Sequence, residues 1–178
     1  MLFFEGLASL AMAKYETDKK TLINVAEKNI AELRNFSQNT PQNFENKLFL
    51  MEAELAVVQN DSPKAFACFK EAIRLSRKHG FIHEEAMAYE KEGLFLLELK
   101  SLAAAHLPLR NAYNCYEKWN AKGLLQKPIF KHIKEEAINK EDSIDLHLNN
   151  ESECSVSLLT ETSFASNNSK RKRVSLKL

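Results

Sequence analysis

The chain has 178 residues, enough for one ordinary domain with a real core plus a tail. Lys and Arg total 25 against 24 Asp and Glu, so the net charge of +1 argues against bulk attraction to nucleic acid or to a lipid surface. Four glycines and four prolines are sparse punctuation, which favours long helices over strands and turns. No run of about 18 apolar residues reads as a membrane span.

From Leu2 to about Leu125 the apolar residues recur at three and four positions, the mark of amphipathic helices. The first helix is expected from the start to about Tyr15, although "MLFFEGLASLAMAKY" superficially resembles a secretory signal. No Lys or Arg precedes its apolar stretch, and Glu5 interrupts it. The second helix runs from about Lys19 to Phe36, "SQNTPQN" (Ser37 to Asn43) reads as a loop, and the third covers Phe44 to Gln59. In "NDSPKAF", Asp61 or Ser62 caps and Pro63 fits the first turn of a fourth helix, which runs to His79 and is stopped by Gly80. The fifth spans about Ile82 to Leu99 and the sixth Ser101 to Trp119, with Pro108 expected to kink the helix near Ala104 or to make it restart there. Beyond Leu125, "IFKHIKEEAI" reads as a short seventh helix. Ser, Asn and Glu then dominate a tail too poor in apolar surface to offset its ordering entropy. The domain organisation expected is a helical-repeat domain of about three hairpins over 1–127, then a short helix and disordered polar tail over 128–178.

The chain repeats itself at a shift of 40 residues. "FLMEAELAVV" from Phe49 falls on "YEKEGLFLLE" from Tyr89, so Glu52 meets Glu92 and Ala53 meets Gly93. The following helices align without a gap: Ala65 with Ala105, Phe69 with Leu109, Ala72 with Ala112. "LFFEGLASLA" adds a third copy, with Leu2, Glu5 and Gly6 on the same positions. A glycine inside a helix costs about 1 kcal/mol relative to alanine. A small residue held at a repeated position therefore points to close approach of paired helices, the glutamate beside it lying at the edge of the contact. Such units cannot bury their faces alone, and stacking them makes the core.

An aromatic, a small residue four positions on, then Ala, a large apolar residue and Ala in the second helix resemble the tetratricopeptide repeat. Helices longer by almost a turn account for the 40-residue period against the usual ~34. A closer resemblance rests on "FFEGLASLAM", "TPQNFENKLFLMEAELA", "AIRLSRKHGFIHEEAMAYE" and "AYNCYEKWNAKG". These resemble the helical-repeat region of large hybrid signalling kinases, which carry serine/threonine-kinase-like, AAA-type ATPase, GAF and histidine kinase modules. The resemblance implies a spacer and interaction platform inside a cytoplasmic phosphorelay protein, with neighbouring modules of the same chain as its partners and no catalytic residues of its own. The first repeat opens at Leu2 already at its aromatic position, where a self-contained array normally begins with a polar cap, so a fragment of a larger protein is expected.

No GxxxxGK[ST], GxGxxG, HRD or DFG occurs, so no catalytic, cofactor-binding or metal residue is assigned. His79 and His83, beside Glu84 and Glu85, read as a helix-terminal cation and a surface histidine rather than ligands. Cys68, Cys115 and Cys154 form no CxxC pair, and the first two read as small core residues. Met51, Met87, Phe95 and Trp119 extend the aromatic positions Phe49 and Tyr89 as packing between hairpins. The alternative function is a stand-alone adaptor that takes a partner helix in a groove lined by Leu50, Val57, Leu94 and Leu97. At the terminus, Lys170, Arg171, Lys172 and Arg173 suit nuclear import, and Ser175 behind them suits a basophilic kinase.

Overall fold

The computed structural model describes residues 2–131, and those residues contain six α-helices and no strand. They are α1 (Leu2–Ala13), α2 (Lys19–Asn39), α3 (Pro41–Val58), α4 (Ser62–His79), α5 (Ile82–Glu98) and α6 (Leu102–Lys118), followed by two 3₁₀ turns, Leu124–Gln126 and Pro128–Phe130. Side-chain caps start two of them: Asp18 accepts from the Thr21 amide and Asp61 from the Lys64 amide. The loop expected over Ser37 to Asn43 shrinks to Thr40 alone. Thr40 leaves the helical region (φ −139°, ψ 69°), which a residue before proline disfavours, and Pro41 then opens α3 where its missing amide costs nothing.

Pro108 does not make α6 restart, because the helix is continuous from Leu102 to Lys118. The carbonyl deprived of its partner belongs to Ala104, an exposed residue that water can reach. The other face, through Ala105, Leu109 and Ala112, is buried.

The repeat is written in the turns as well as in the side chains. Asn60, Gly80, Lys100 and Asn120 all take left-handed backbone, with φ of 61°, 76°, 58° and 59°. In each case the following amide reaches back over the helix end at 2.9 Å: Asp61 to Ala56, Phe81 to Ser76, Ser101 to Leu96 and Ala121 to Tyr116. This is the Schellman closure, which satisfies carbonyls that the helix end leaves orphaned. The sequence announces only one of the four, at Gly80.

α1 packs on α2, α3 on α4 and α5 on α6, while α1 also meets α3 and α3 meets α5. Buried residues form two adjoining clusters. One joins α1–α4 to Ala88 and Phe95, and the second gathers residues of α5, α6 and the closing 3₁₀ turn. Phe130 belongs to the second, fully buried with its ring 6.0 Å from those of Tyr113 and Tyr116. Packing therefore continues past the boundary expected at Lys127. The rest of the expected seventh helix and the tail lie outside the described residues.

Candidate interaction surfaces

The repeated small residues sit at helix contacts, within a hairpin at Gly93 and between successive hairpins at Gly6. A side chain begun at Gly93 would place its Cβ 2.6 Å from Leu109 Cγ and Cδ2 and 3.4 Å from the Leu109 amide nitrogen, so the backbones of α5 and α6 approach through the missing Cβ. At Gly6 the same atom would run into the Met51 methyl, across the α1–α3 contact. Ala53, Ala65, Phe69, Ala72, Ala105, Leu109 and Ala112 are buried, whereas Leu2, Phe49 and Tyr89 are half-buried beside them.

The glutamate next to each small residue turns to the edge of the contact. Glu5 accepts from Asn29 Nδ2 at 3.2 Å, and Glu52 pairs with Arg34 of α2. Glu92 lies near Lys70 of α4 but is half-buried, and burial raises its carboxyl above the usual range, with Lys70 offsetting part of that. The folded state therefore holds this proton more tightly than the unfolded chain does. Its contribution to stability is complete below the unfolded pKa and is lost as pH rises through the folded one. Accordingly, Glu92→Gln should raise the thermal midpoint at pH 7. That gain over the parent should fade as pH falls below about 4. A gain of the same size at both pH values would contradict this origin.

The four residues assigned to a partner groove do not come together in one: Val57 borders an open cleft of about 320 Å³ with Val58, Lys14 and Tyr15, away from the other three. Leu50 is 1% exposed and Val57 is also buried, both inside the first core cluster, while Leu97 packs against the second and only Leu94 remains as a half-buried residue outside both clusters. The reason is the position of α3, which is packed by α1, α2, α4 and α5 at once. Most of the apolar surface of a helix so surrounded is taken up by its neighbours.

Three buried glutamates carry the polar interior, and none lies on a repeated position. Glu54, fully buried on α3, faces Lys14 at 3.9 Å and Lys91 at 3.5 Å, linking the end of α1 to α5. Glu84 accepts from Asn46 Nδ2 at 2.7 Å and pairs with Lys47 at 2.8 Å, and the same Asn46 amide donates to Ser76 at 3.1 Å. Glu90 accepts from the Tyr116 hydroxyl at 2.6 Å and pairs with Lys127. Burial, then this carboxylate, pushes the Tyr116 phenol far above its ordinary range. These pairs fix neighbouring helices in register. The only sequence hint was a charge embedded in apolar runs such as "EAELAVV".

Two open clefts flank Tyr89. One, about 430 Å³, lies between α4 and α5 with Lys70, Arg74, Arg77 and Lys78 along one wall and Glu92 opposite. The second, about 410 Å³, lies between α5 and α6 and contains Cys115. Arg77 stands between them, donating to Glu85 at 2.9 Å and to the Tyr89 hydroxyl. Burial raises the Cys115 thiol, leaving it protonated and a weak nucleophile. His83 rests on Trp119, ring centres 5.4 Å apart, and among the described residues no cluster of His, Cys, Asp and Glu could hold a metal ion. No helix among the described residues is long and apolar enough to cross a membrane. Lys170, Arg171, Lys172, Arg173, Ser175 and Cys154 lie outside the described residues. Comparison with known families, with curated proteins and with solved structures found no match to this chain.

Proposed function

We propose that the chain is a non-catalytic helical-repeat scaffold and protein-interaction module: a tetratricopeptide-like α-solenoid segment of the kind found in large hybrid signalling kinases. In that setting it holds neighbouring kinase or ATPase modules apart and makes contacts with them. The observation that supports a repeat module is the pairing of two features: Ala53 and Gly93 forty residues apart, with Gly6 at the matching place in α1, and left-handed helix ends recurring every twenty residues from Asn60 to Asn120. The link to signalling kinases rests on the sequence resemblance. An adaptor that grips a helix with Leu50 and Val57 is disfavoured, since both are already used by the core.

The test is the size of the native polypeptide, detected in cell extract with an antibody raised against residues 2–123. A band several times larger than 20.4 kDa is expected for a module of a multidomain protein. A band at 20.4 kDa would remove the kinase setting.

A further inference from the structure

The two clefts beside Tyr89 form one surface. Arg77 and Tyr89 line both, so the groove between α4 and α5 runs on into the groove between α5 and α6. Its cations stand on α4 at helical spacing. Lys70, Arg74 and Lys78 follow one another every four residues, with Arg77 beside the last, and all four are exposed. Buried Ile73 and half-buried Tyr89 lie between them and α5.

Much of this polar surface is not used by the fold. Arg74 gives Nε and Nη2 to Glu71, while Arg77 gives Nε to Glu85 and Nη2 to Tyr89. A guanidinium has five N–H donors, so each arginine keeps donors for a visitor. Among the described residues Lys70 and Lys78 form no ion pair, although Lys70 lies near Glu92. Asn111 and Asn114 of α6 line the second cleft, and their side chains make no hydrogen bond among the described residues.

We propose that this surface holds an extended acidic segment of a partner protein. Its carboxylates meet Lys70, Arg74 and Lys78, and its backbone runs on past Tyr89 to the amides of Asn111 and Asn114. Charge complementarity names the class, and spacing names the conformation. Four residues of helix rise about 6 Å, and alternate residues of an extended strand lie about 6.6 Å apart. Acidic side chains at every second position therefore reach the three cations in turn. The intervening side chains face α5, where Tyr89 offers a ring to an apolar residue and Glu92 repels an acidic one. A nucleic acid fits worse, because its phosphates are evenly charged and would meet Glu85 and Glu92. An open cleft encloses too little of a small anion, whereas a peptide makes contacts along its length. The inference deepens the interaction-module reading by giving the partner a chemistry. It can fail while a large native polypeptide is still found.

The test is fluorescence anisotropy of labelled acetyl-EVEVEVE-amide titrated with the full chain at low ionic strength. Saturable binding with a Kd of roughly 10–100 µM is expected. Arg74→Gln combined with Lys78→Gln should weaken it about tenfold, and Asn114→Ala about threefold. Lys28→Gln, at an exposed cation of α2, should leave it unchanged. The contiguous isomer acetyl-EEEEVVV-amide should bind about tenfold more weakly. No saturation by about 1 mM overturns the site. Equal losses from the Lys28 variant overturn it in favour of general charge attraction. Equal affinity for the two peptides overturns the extended register, and tighter binding of an oligo-dT strand overturns the peptide assignment. Unchanged far-UV helicity in each variant separates these outcomes from unfolding.

Discussion

Gly93→Val should lower the stability of the folded chain by about 3 kcal/mol, the upper end of what overpacking a closed contact costs. For a domain of this size that is a drop of roughly 10 °C in thermal midpoint. The Cβ alone would lie 2.6 Å from Leu109 Cγ, a branch point rather than a free end, and the amide nitrogen behind it cannot retreat without moving α6. Valine adds two methyl groups to that collision and a restricted rotamer. Gly6→Ala is expected to be far milder, because the obstructing atom is the terminal methyl of a flexible methionine and the helix gains intrinsic propensity. Gly123→Ala should change almost nothing, as no atom lies within 4 Å of the added carbon. The order of the three, read from urea unfolding midpoints, checks the argument. A Gly93 variant no worse than the Gly123 one would contradict it.

Phe130→Ala should cost about 3–5 kcal/mol, the usual penalty for emptying a fully buried phenylalanine site. The effect is notable because this residue lies beyond the last helix of the repeat. Its loss removes the ring against Tyr113 and Tyr116 and loosens the segment that delivers Lys127 to Glu90. Glu90 and the Tyr116 hydroxyl would then rely on each other alone in a site opened to water. A chain ended at Lys127 should unfold at a lower midpoint than one ended at Lys131. Equal midpoints for the two truncations would mean that the turn is not part of the core.

Much of the architecture was legible because it rests on local chemistry. The capping Asp61 with Pro63, the stop at Gly80 and the 40-residue echo of Glu52–Ala53 in Glu92–Gly93 each have a short-range physical cause. The turns at Asn60 and Asn120 carried only the weaker left-handed preference of asparagine, and the one at Lys100 carried none, since closure by backbone bonds can impose that geometry on a residue that does not favour it. Asn39 and Pro41 misled in the opposite sense: polar residues that look like a loop are accepted in a last helical turn, and proline in a first one. The partner groove was misplaced for a global reason. Periodicity shows that Leu50 and Val57 are apolar, but only the stacking order shows that α3 is enclosed by four helices.

The account stands on the claim that the repeated small position is where paired helices meet, and a double-mutant cycle between Gly93 and Leu109 tests it most directly. With Leu109 in place, Gly93→Ala should destabilise the chain, the clash outweighing the helix propensity gained. In a Leu109→Ala background the obstructing atoms are gone, and the same change should instead stabilise by about 1 kcal/mol. A reversal of sign is the predicted result. The same Gly93→Ala effect in both backgrounds, within about 0.5 kcal/mol, would show that the two positions do not touch and would contradict the stacked-hairpin account.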